Sequence, residues 1–361
     1  MLAIGLMSGT SRDGIDAALI ETDGDGLVKP VAFHAQAYQD GFRVRLAEAC
    51  ARAMAMDAPG FEPLIASVEA ELTELHVEVV ADLLGRSGHV AEDVGVIGFH
   101  GHTVAHRPDR RWTWQIGDGA ALAGAFGIAV VGDLRSADVA AGGQGAPLLP
   151  VYHRALAAAL EKPVAILNLG GVANITAIGS DGALTAFDTG MASGLIDNWM
   201  QAHGDMAYDA GGACAAQGRV DEARLGAMLA DPWFAAPPPK SIDREAFTIE
   251  AVQGLNLEDG AATLTAFSAA AVARGIDHLA ERPLCLHVAG GGRHNRTLMA
   301  MLAERCGVDV RSVDALGWDG DALEAQGFAY MAVRHLAGLP ISFPGTTGAP
   351  APMTGGVLFR A

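Results

Sequence analysis

Asp188 stands in "AFDTG" (186–190), where a short apolar run ends in a carboxylate followed by threonine and glycine. A carboxylate at such a point can take a proton from a hydroxyl or a water, the work of a general base, and it can equally cap a turn. A second acid, Glu324 in "DALEAQGF" (321–328), falls in the first turns of an expected helix. The helix dipole favours a negative charge there, whether or not the residue has chemistry to do. Three glycine-bearing stretches accompany these acids. "IGLMSGTSRDGID" (4–16) sets Gly9, Thr10, Ser11, Asp13 and Gly14 between apolar runs. Glycines let backbone N–H groups approach an anion, the hydroxyls add donors, and Asp13 can hold through water the cation that a bound phosphate needs. The same residues also suit a tight hairpin, and the Gly-Lys-Ser/Thr ending of a Walker loop is missing. "LNLGGVANIT" (167–176) carries Gly170 and Gly171, with Asn168 and Asn174 as neighbours, and "HVAGGGRHN" (287–295) carries Gly290, Gly291, Gly292 and Asn295. Any one of the three is ordinary turn chemistry; together they favour a nucleotide gripped from several sides.

Other clusters are weaker. His102 and His106 in "HGHTVAH" (100–106) are four apart, but Thr103 stands where a zinc-protease helix carries glutamate, so hydrogen bonding to substrate or core is the better reading. "PPPKSIDREAF" (237–247) joins a stiff proline run to Lys240 and Arg244, as a substrate loop or a surface connection. "AHRPDRRWTW" (105–114) reads as a solvated basic loop. The formal net charge of −18 argues against nucleic-acid binding, which needs a basic face. Cys50, Cys214, Cys285 and Cys306 are widely spread and read as reduced thiols. With neither a signal segment nor an apolar run of membrane length, a cytoplasmic protein with no membrane partner is expected.

The elements that must position these residues alternate between strands and Ala/Leu-rich helices, an α/β pattern. Strands are expected at 2–7, 15–21, 94–101, 128–134, across 163–178, at 284–292 and at 308–314. One long helical region spans roughly 42–86, and further helices cover 152–160, 193–203, 263–281 and 321–337. The plan of strand, glycine turn and strand occurs near residue 2 and again near residue 164, as two similar halves would have it. "AAGGQGAPLLP" (140–150) is the natural linker.

The motifs, taken together, resemble those of the anhydro-N-acetylmuramic acid kinases, enzymes of bacterial cell-wall recycling. The matching stretches run from end to end: "GLMSGTSRDGID", "GFHGHTVAHRP", "QIGDGAALA", "GDLRSADVAAGGQGAPLLP", "LNLGGVANIT", "FDTG", "PPKSIDREAF", "VAGGGRHN" and "FPGTTG". The resemblance implies the two-domain actin-like, hexokinase-like α/β fold with ATP in the interdomain cleft. The domains would be 1–140 and 141–361, with the C-terminal helix returning to the first and the two closing around substrate. Gly9, Thr10, Ser11, Asp13, Gly14, Gly170 and Gly171 would then hold the ATP phosphates. Gly290, Gly291, Gly292 and Asn295 would lie by the adenosine, and His100, Thr103 and Arg135 by the sugar.

The implied reaction opens the internal bridge of 1,6-anhydro-N-acetylmuramic acid with water and phosphorylates the freed O6, with ATP and Mg²⁺. Asp188 matches the base and Glu324 a glutamate of the sugar site; a homodimer is also implied. Departures from the family pattern are Met191-Ala192-Ser193 after "FDTG" in place of Pro-Gly-Asn, His102 in place of Gln, and Ile242-Asp243. The first of these implies a less rigid loop beside the base. A hexose or amino-sugar kinase of the same fold, or a non-catalytic sugar sensor, are the competing expectations.

Overall fold

Apolar residues without interruption, bounded by glycine, make buried strands. β1 (Leu2–Ser8) and β2 (Gly14–Thr22) form a hairpin around the turn at 9–13, with Leu2 opposite Glu21 and Met7 opposite Asp16. β3 (Val28–Ala37) continues antiparallel to β2, while β4 (Val94–Arg107) runs parallel to β1 and turns back into β5 (Trp112–Ile116). The stretch expected as a basic loop is therefore largely a hairpin, because Trp112 and Trp114 pack on the apolar core. β6 (Val130–Gly132) lies parallel to β4. These are observations on a computed structural model that describes residues 1–242 and 246–361.

Contacts divide the chain into two compact units: residues 1–158 with 322–361, and residues 159–321. The expected first domain ended at 140. In the structure "AAGGQGAPLLP" lies inside the first unit, tied there by Gly145 N–H to Asp138 and Gln144 N–H to the Thr347 carbonyl. The expected long helix at 42–86 is two, Asp40–Met54 and Pro63–Ser87. The first ends at Met54, Pro59-Gly60 keeps the connection non-helical, and Pro63 opens the second, where a missing N–H costs nothing.

In the second unit, β7 (Val164–Leu169) and β8 (Val172–Ile178) form the hairpin around Gly170-Gly171, and β9 (Leu184–Met191) follows antiparallel. β10 (Cys285–Ala289) and β11 (Asp309–Ser312) extend the sheet by parallel pairing on the other side of β7. The helix Leu257–Ile276 crosses this unit almost wholly buried. Back in the first unit, β12 (Val357–Phe359) pairs with β6 and completes the order β12-β6-β4-β1-β2-β3, with β5 beside β4.

Glu324 is positioned by a close helix–sheet approach. The helix Leu323–Leu336 lies on β1, β2 and β4. At Gly5 a β-carbon would run into the backbone of Ala325 and Ala329, and at Gly98 into that of Phe328. Only glycine on the strands permits that spacing.

The first unit also carries a pH liability. Burial holds His102 down to about 3 and His76, His106 and His153 to about 4, with His100 well below the usual imidazole range. Unfolding exposes all five, so between roughly pH 6.5 and 4 the unfolded chain binds more protons and native stability falls as pH falls. Each histidine titrating only when unfolded contributes a slope of up to ~1.4 kcal/mol per pH unit. The urea midpoint should therefore drop steadily from pH 7 to 5; a flat midpoint would contradict this.

Candidate active site

The turn at 9–13 is locked from below. Ser8, the last residue of β1, is fully buried; its hydroxyl lies 2.6 Å from the Tyr38 hydroxyl and 2.8 Å from His102 Nδ1. With His102 neutral, Ser8 donates to Nδ1 and accepts from Tyr38, which leaves the Nε2 proton facing Cys50 Sγ at 3.8 Å. Tyr38 N–H also donates to the Asp13 carbonyl at 2.9 Å, and Arg12 N–H closes the turn onto Gly9 O at 3.0 Å. Arg12 takes the left-handed conformation, φ 58°. Ser11 Oγ donates to Asp13 Oδ1 at 2.7 Å on the exposed side. His102 is thus a buried support of this turn, and among the described residues no group of three His, Cys, Asp or Glu side chains could hold a metal ion.

Arg135 lies in the same unit. Its Nη1 donates to Gly145 O at 2.6 Å and its Nε to His100 Nε2 at 3.1 Å. His100 Nδ1–H in turn meets Gly101 O at 2.9 Å, and its ring packs against Phe328 with centroids 4.7 Å apart. Both ring nitrogens of His100 are engaged, so this residue orients Arg135 from behind. Burial lowers the guanidinium to about 10, still a cation at neutral pH. Burial raises the Glu324 carboxyl; Arg135 opposes the shift and the Asp13 charge adds to it. Thr103 Oγ1 accepts from Gln115 Nε2 at 3.1 Å.

In the second unit Asp188 sits on β9. Its carboxylate Oδ2 accepts the Ile242 N–H at 3.0 Å, and its own N–H donates to Lys240 O at 2.9 Å. Burial pushes the acid up to about 7, against the pull of that single backbone bond. Lys240 spends its ammonium inside the protein, on Trp233 O and Phe234 O at 3.0 and 3.2 Å and over the Trp233 ring at 4.3 Å. It is therefore a clip for the segment holding Asp188. Asp243 and Arg244 lie outside the described residues.

The loop after Gly190 is pinned. Met191 and Ala192 are buried, Ala192 N–H donates to Gly171 O and Ser193 N–H to Gly170 O, both at 3.0 Å, and Ser268 Oγ donates to Ala192 O at 3.1 Å. The looser loop expected from Met191-Ala192-Ser193 is not what forms, because Met191 packs into the apolar cluster around Trp199 and Phe267.

The glycines fall into two kinds. Gly290 has φ 76°, and a β-carbon there would meet Asn168 Oδ1 at 2.5 Å; at Gly292 it would meet Leu169 Cβ at 2.6 Å. The fold itself needs these glycines. At Gly291 a β-carbon would meet nothing within 4 Å, at Gly170 only Val172 O at 3.7 Å, and at Gly9 its nearest contact would be Ser11 Oγ at 3.4 Å. These three also lack a positive φ, so neither packing nor backbone demands glycine, and the open space fits a ligand lying against the main chain. Gly14 is of the first kind: a β-carbon there would strike the Gln36 carbonyl of β3. Asn295 accepts the Leu298 N–H at 2.9 Å and so caps the helix Arg296–Cys306. Gly291, Gly292, His294 and Asn295 line a pocket with Ser193 and Asp197.

The sequence reading did not single out Tyr38, Asp138 or the Ile242 N–H. A backbone donor reached across 54 residues leaves no residue-type signal.

Comparison with known proteins agrees with this picture. The family model described as "Anhydro-N-acetylmuramic acid kinase" matches residues 1–361. A protein of that name from Rhizorhabdus wittichii is 63% identical over 361 residues, covering 100% of this chain and 99% of its own. One from Zymomonas mobilis is 53% identical, covering 99% of each. Among solved structures, the (R)-2-hydroxyglutaryl-CoA dehydratase component A of Acidaminococcus fermentans superposes with a TM-score of 0.51 at 12% identity, over 93% of this chain and 99% of that one. That likeness concerns the fold alone, and the fold is the expected actin-like, hexokinase-like α/β class.

Proposed function

The chain belongs to the anhydro-N-acetylmuramic acid kinase family, and from that premise we propose how its residues divide the work. The enzyme is an ATP-using kinase of cell-wall recycling acting on a small sugar. In our reading, Asp188 draws the proton from the water that attacks the anomeric carbon and opens the 1,6-anhydro bridge. The observation that carries this is its carboxylate, buried enough to be raised to about 7, held by the Ile242 N–H and still partly open to solvent. The freed O6 then takes the γ-phosphoryl group. Glu324 orients water or sugar.

Gly9, Thr10, Ser11, Asp13, Gly14, Gly170 and Gly171 serve the phosphates, with main-chain N–H groups as donors. Gly290, Gly291, Gly292 and Asn295 shape the adenosine side. ATP supplies the phosphoryl group and Mg²⁺ neutralises its charge. The donor set fits that ion: Mg²⁺ keeps several waters and leans on phosphate oxygens plus one or two carboxylates, here Asp13 through water. A homodimer in the cytoplasm completes the proposal. No helix among the described residues is long and apolar enough to cross a membrane.

Two experiments test it. ADP release with Mg-ATP is followed in heavy-oxygen water with the anhydro sugar or plain N-acetylmuramic acid. Label at the anomeric hydroxyl of a phosphorylated product is expected with the anhydro sugar; phosphorylation of plain sugar alone would refute the ring-opening role. For the nucleotide cradle, Gly291→Ala should leave the unfolding midpoint unchanged yet raise KM for ATP about tenfold, whereas Gly290→Ala should cost stability of about 1 kcal/mol or more. An unchanged KM in Gly291→Ala would remove that backbone from the ATP site.

A further inference from the structure

Two stretches, "GDLRSADVAAGGQGAP" (132–147) and "FPGTTG" (343–348), contribute little beyond Arg135 to the chemistry above, yet they meet at one buried carboxylate. Asp138 is 1% exposed. Its Oδ1 accepts the Gly145 N–H at 2.7 Å, and its Oδ2 accepts the hydroxyls of Ser342 at 2.5 Å and Thr347 at 2.6 Å. A carboxylate out of water is costly unless so paired, and charge-assisted bonds of this length are the strong kind. What it grips matters. Gly145, in the left-handed region at φ 67°, presents its carbonyl to Arg135 Nη1. The neighbouring Gln144 is held from both sides, its N–H on Thr347 O at 2.6 Å and its carbonyl 2.9 Å from His106 Nε2. The chain of contacts therefore runs from the C-terminal segment, through Asp138 and Gly145, to the guanidinium that His100 holds from its other edge.

We propose that Asp138 is a positioning residue for the kinase reaction: by bridging the 342–347 segment to Gly145, it holds the Arg135 guanidinium against His100 and beside Glu324. The proposal rests on the reading of Arg135 as a residue of the sugar site. Asp138 itself touches no substrate; it acts through the Gly145 carbonyl. The C-terminal motif gains a role as the outer wall of that support. Asn in place of Asp138 could keep the bridge, its Oδ1 accepting the Gly145 N–H and its amide donating to the two hydroxyls, whereas Asp138→Ala removes both acceptor oxygens and opens it.

The test compares Asp138→Ala, Arg135→Ala, their double variant, and a Ser342→Ala/Thr347→Val variant that leaves Asp138 in place. Asp138→Ala should lower kcat/KM for the anhydro sugar about 10- to 100-fold, the scale of a lost charged hydrogen bond, with KM for ATP within about twofold. In the Arg135→Ala background it should add nothing, because the group it positions is gone. The hydroxyl variant should show a smaller loss of the same sign. If Asp138 only supports the fold, its removal lowers the unfolding midpoint while kcat/KM of the folded enzyme stays unchanged, or its effect multiplies with that of Arg135→Ala; either result overturns the proposal. A crystal structure of Asp138→Ala, or of the hydroxyl variant if the former does not fold, separates this from the reading beneath it. Arg135 displaced from Gly145 and His100, with sugar kinetics insensitive to Arg135→Ala, sustains the positioning and removes Arg135 from the sugar site. Arg135 unmoved overturns the positioning whatever Arg135→Ala does.

Discussion

Asp188→Asn is expected to lower turnover on the anhydro sugar by about 10²- to 10⁴-fold, the range a positioned general base supplies, while ATP still binds. Asn keeps the size of the side chain and can still accept the Ile242 N–H bond, so the loss isolates proton transfer. The wild-type enzyme should lose kcat/KM as pH falls through about 7, because the base must be ionised and burial has raised it to that value; the variant should lack this limb. Stability should move the other way. A carboxyl raised in the folded state is protonated there more readily than in the unfolded chain, so the contribution of this one group is full below about pH 4 and declines as pH rises towards 7, opposite in sign to that of the five buried histidines. At pH 8 the wild type therefore holds a poorly solvated charge that the neutral amide of the variant lacks. Because Asp188 keeps partial solvent access, the gain on Asp188→Asn is set at about 1–2 kcal/mol, below the full linkage value. An inactive variant that unfolds at higher temperature than wild type at pH 8 is the joint outcome to look for. A variant that retains wild-type turnover would end the base assignment.

Glu324→Gln should cost about 10²-fold in kcat on the anhydro sugar and much less in KM for ATP. The carboxyl is raised by burial and opposed by Arg135, so its charge is sensitive to the exact place of that cation. If Glu324 orients the attacking water, the variant should lose more on the anhydro sugar than on plain N-acetylmuramic acid, whose phosphorylation needs no attacking water. The ratio of the two rates is the measurement. Equal losses on both sugars would assign Glu324 to sugar contact, and no loss on either would take it out of the site.

Much of the fold is legible in local sequence. Apolar runs ending in glycine mark β1, β7, β8 and β10; the turn at 9–13 lies where Gly, Ser and Asp cluster, and that at 170–171 on a glycine pair. The 42–86 region reads as one helix because its apolar spacing persists on both sides, while Pro59, Gly60 and Pro63 decide the break. The loop after Gly190 shows the opposite limit. Losing Pro and Gly from its pattern suggests slack, yet Met191 finds an apolar cluster to which the helices Ser193–His203, Glu222–Leu229 and Leu257–Ile276 all contribute. Burial overrides the local propensity.

The same division holds for the site. Residue types and short spacings determine which groups are available: the carboxylates Asp188 and Glu324, the glycine turns, the cation of Arg135. Their working state is a tertiary matter. Whether a glycine is demanded by packing, as at Gly290, or left with open space, as at Gly291, depends on strands far away in the chain. Asp188 meets the Ile242 N–H 54 residues on, and Asp138 meets the Thr347 hydroxyl 209 residues on. Turn geometry and amphipathic periodicity are encoded within a few residues, so sequence by itself determines them. Desolvation and hydrogen-bond partnership are sums over neighbours that only the folded chain assembles, and they set the acidity and aim of each group.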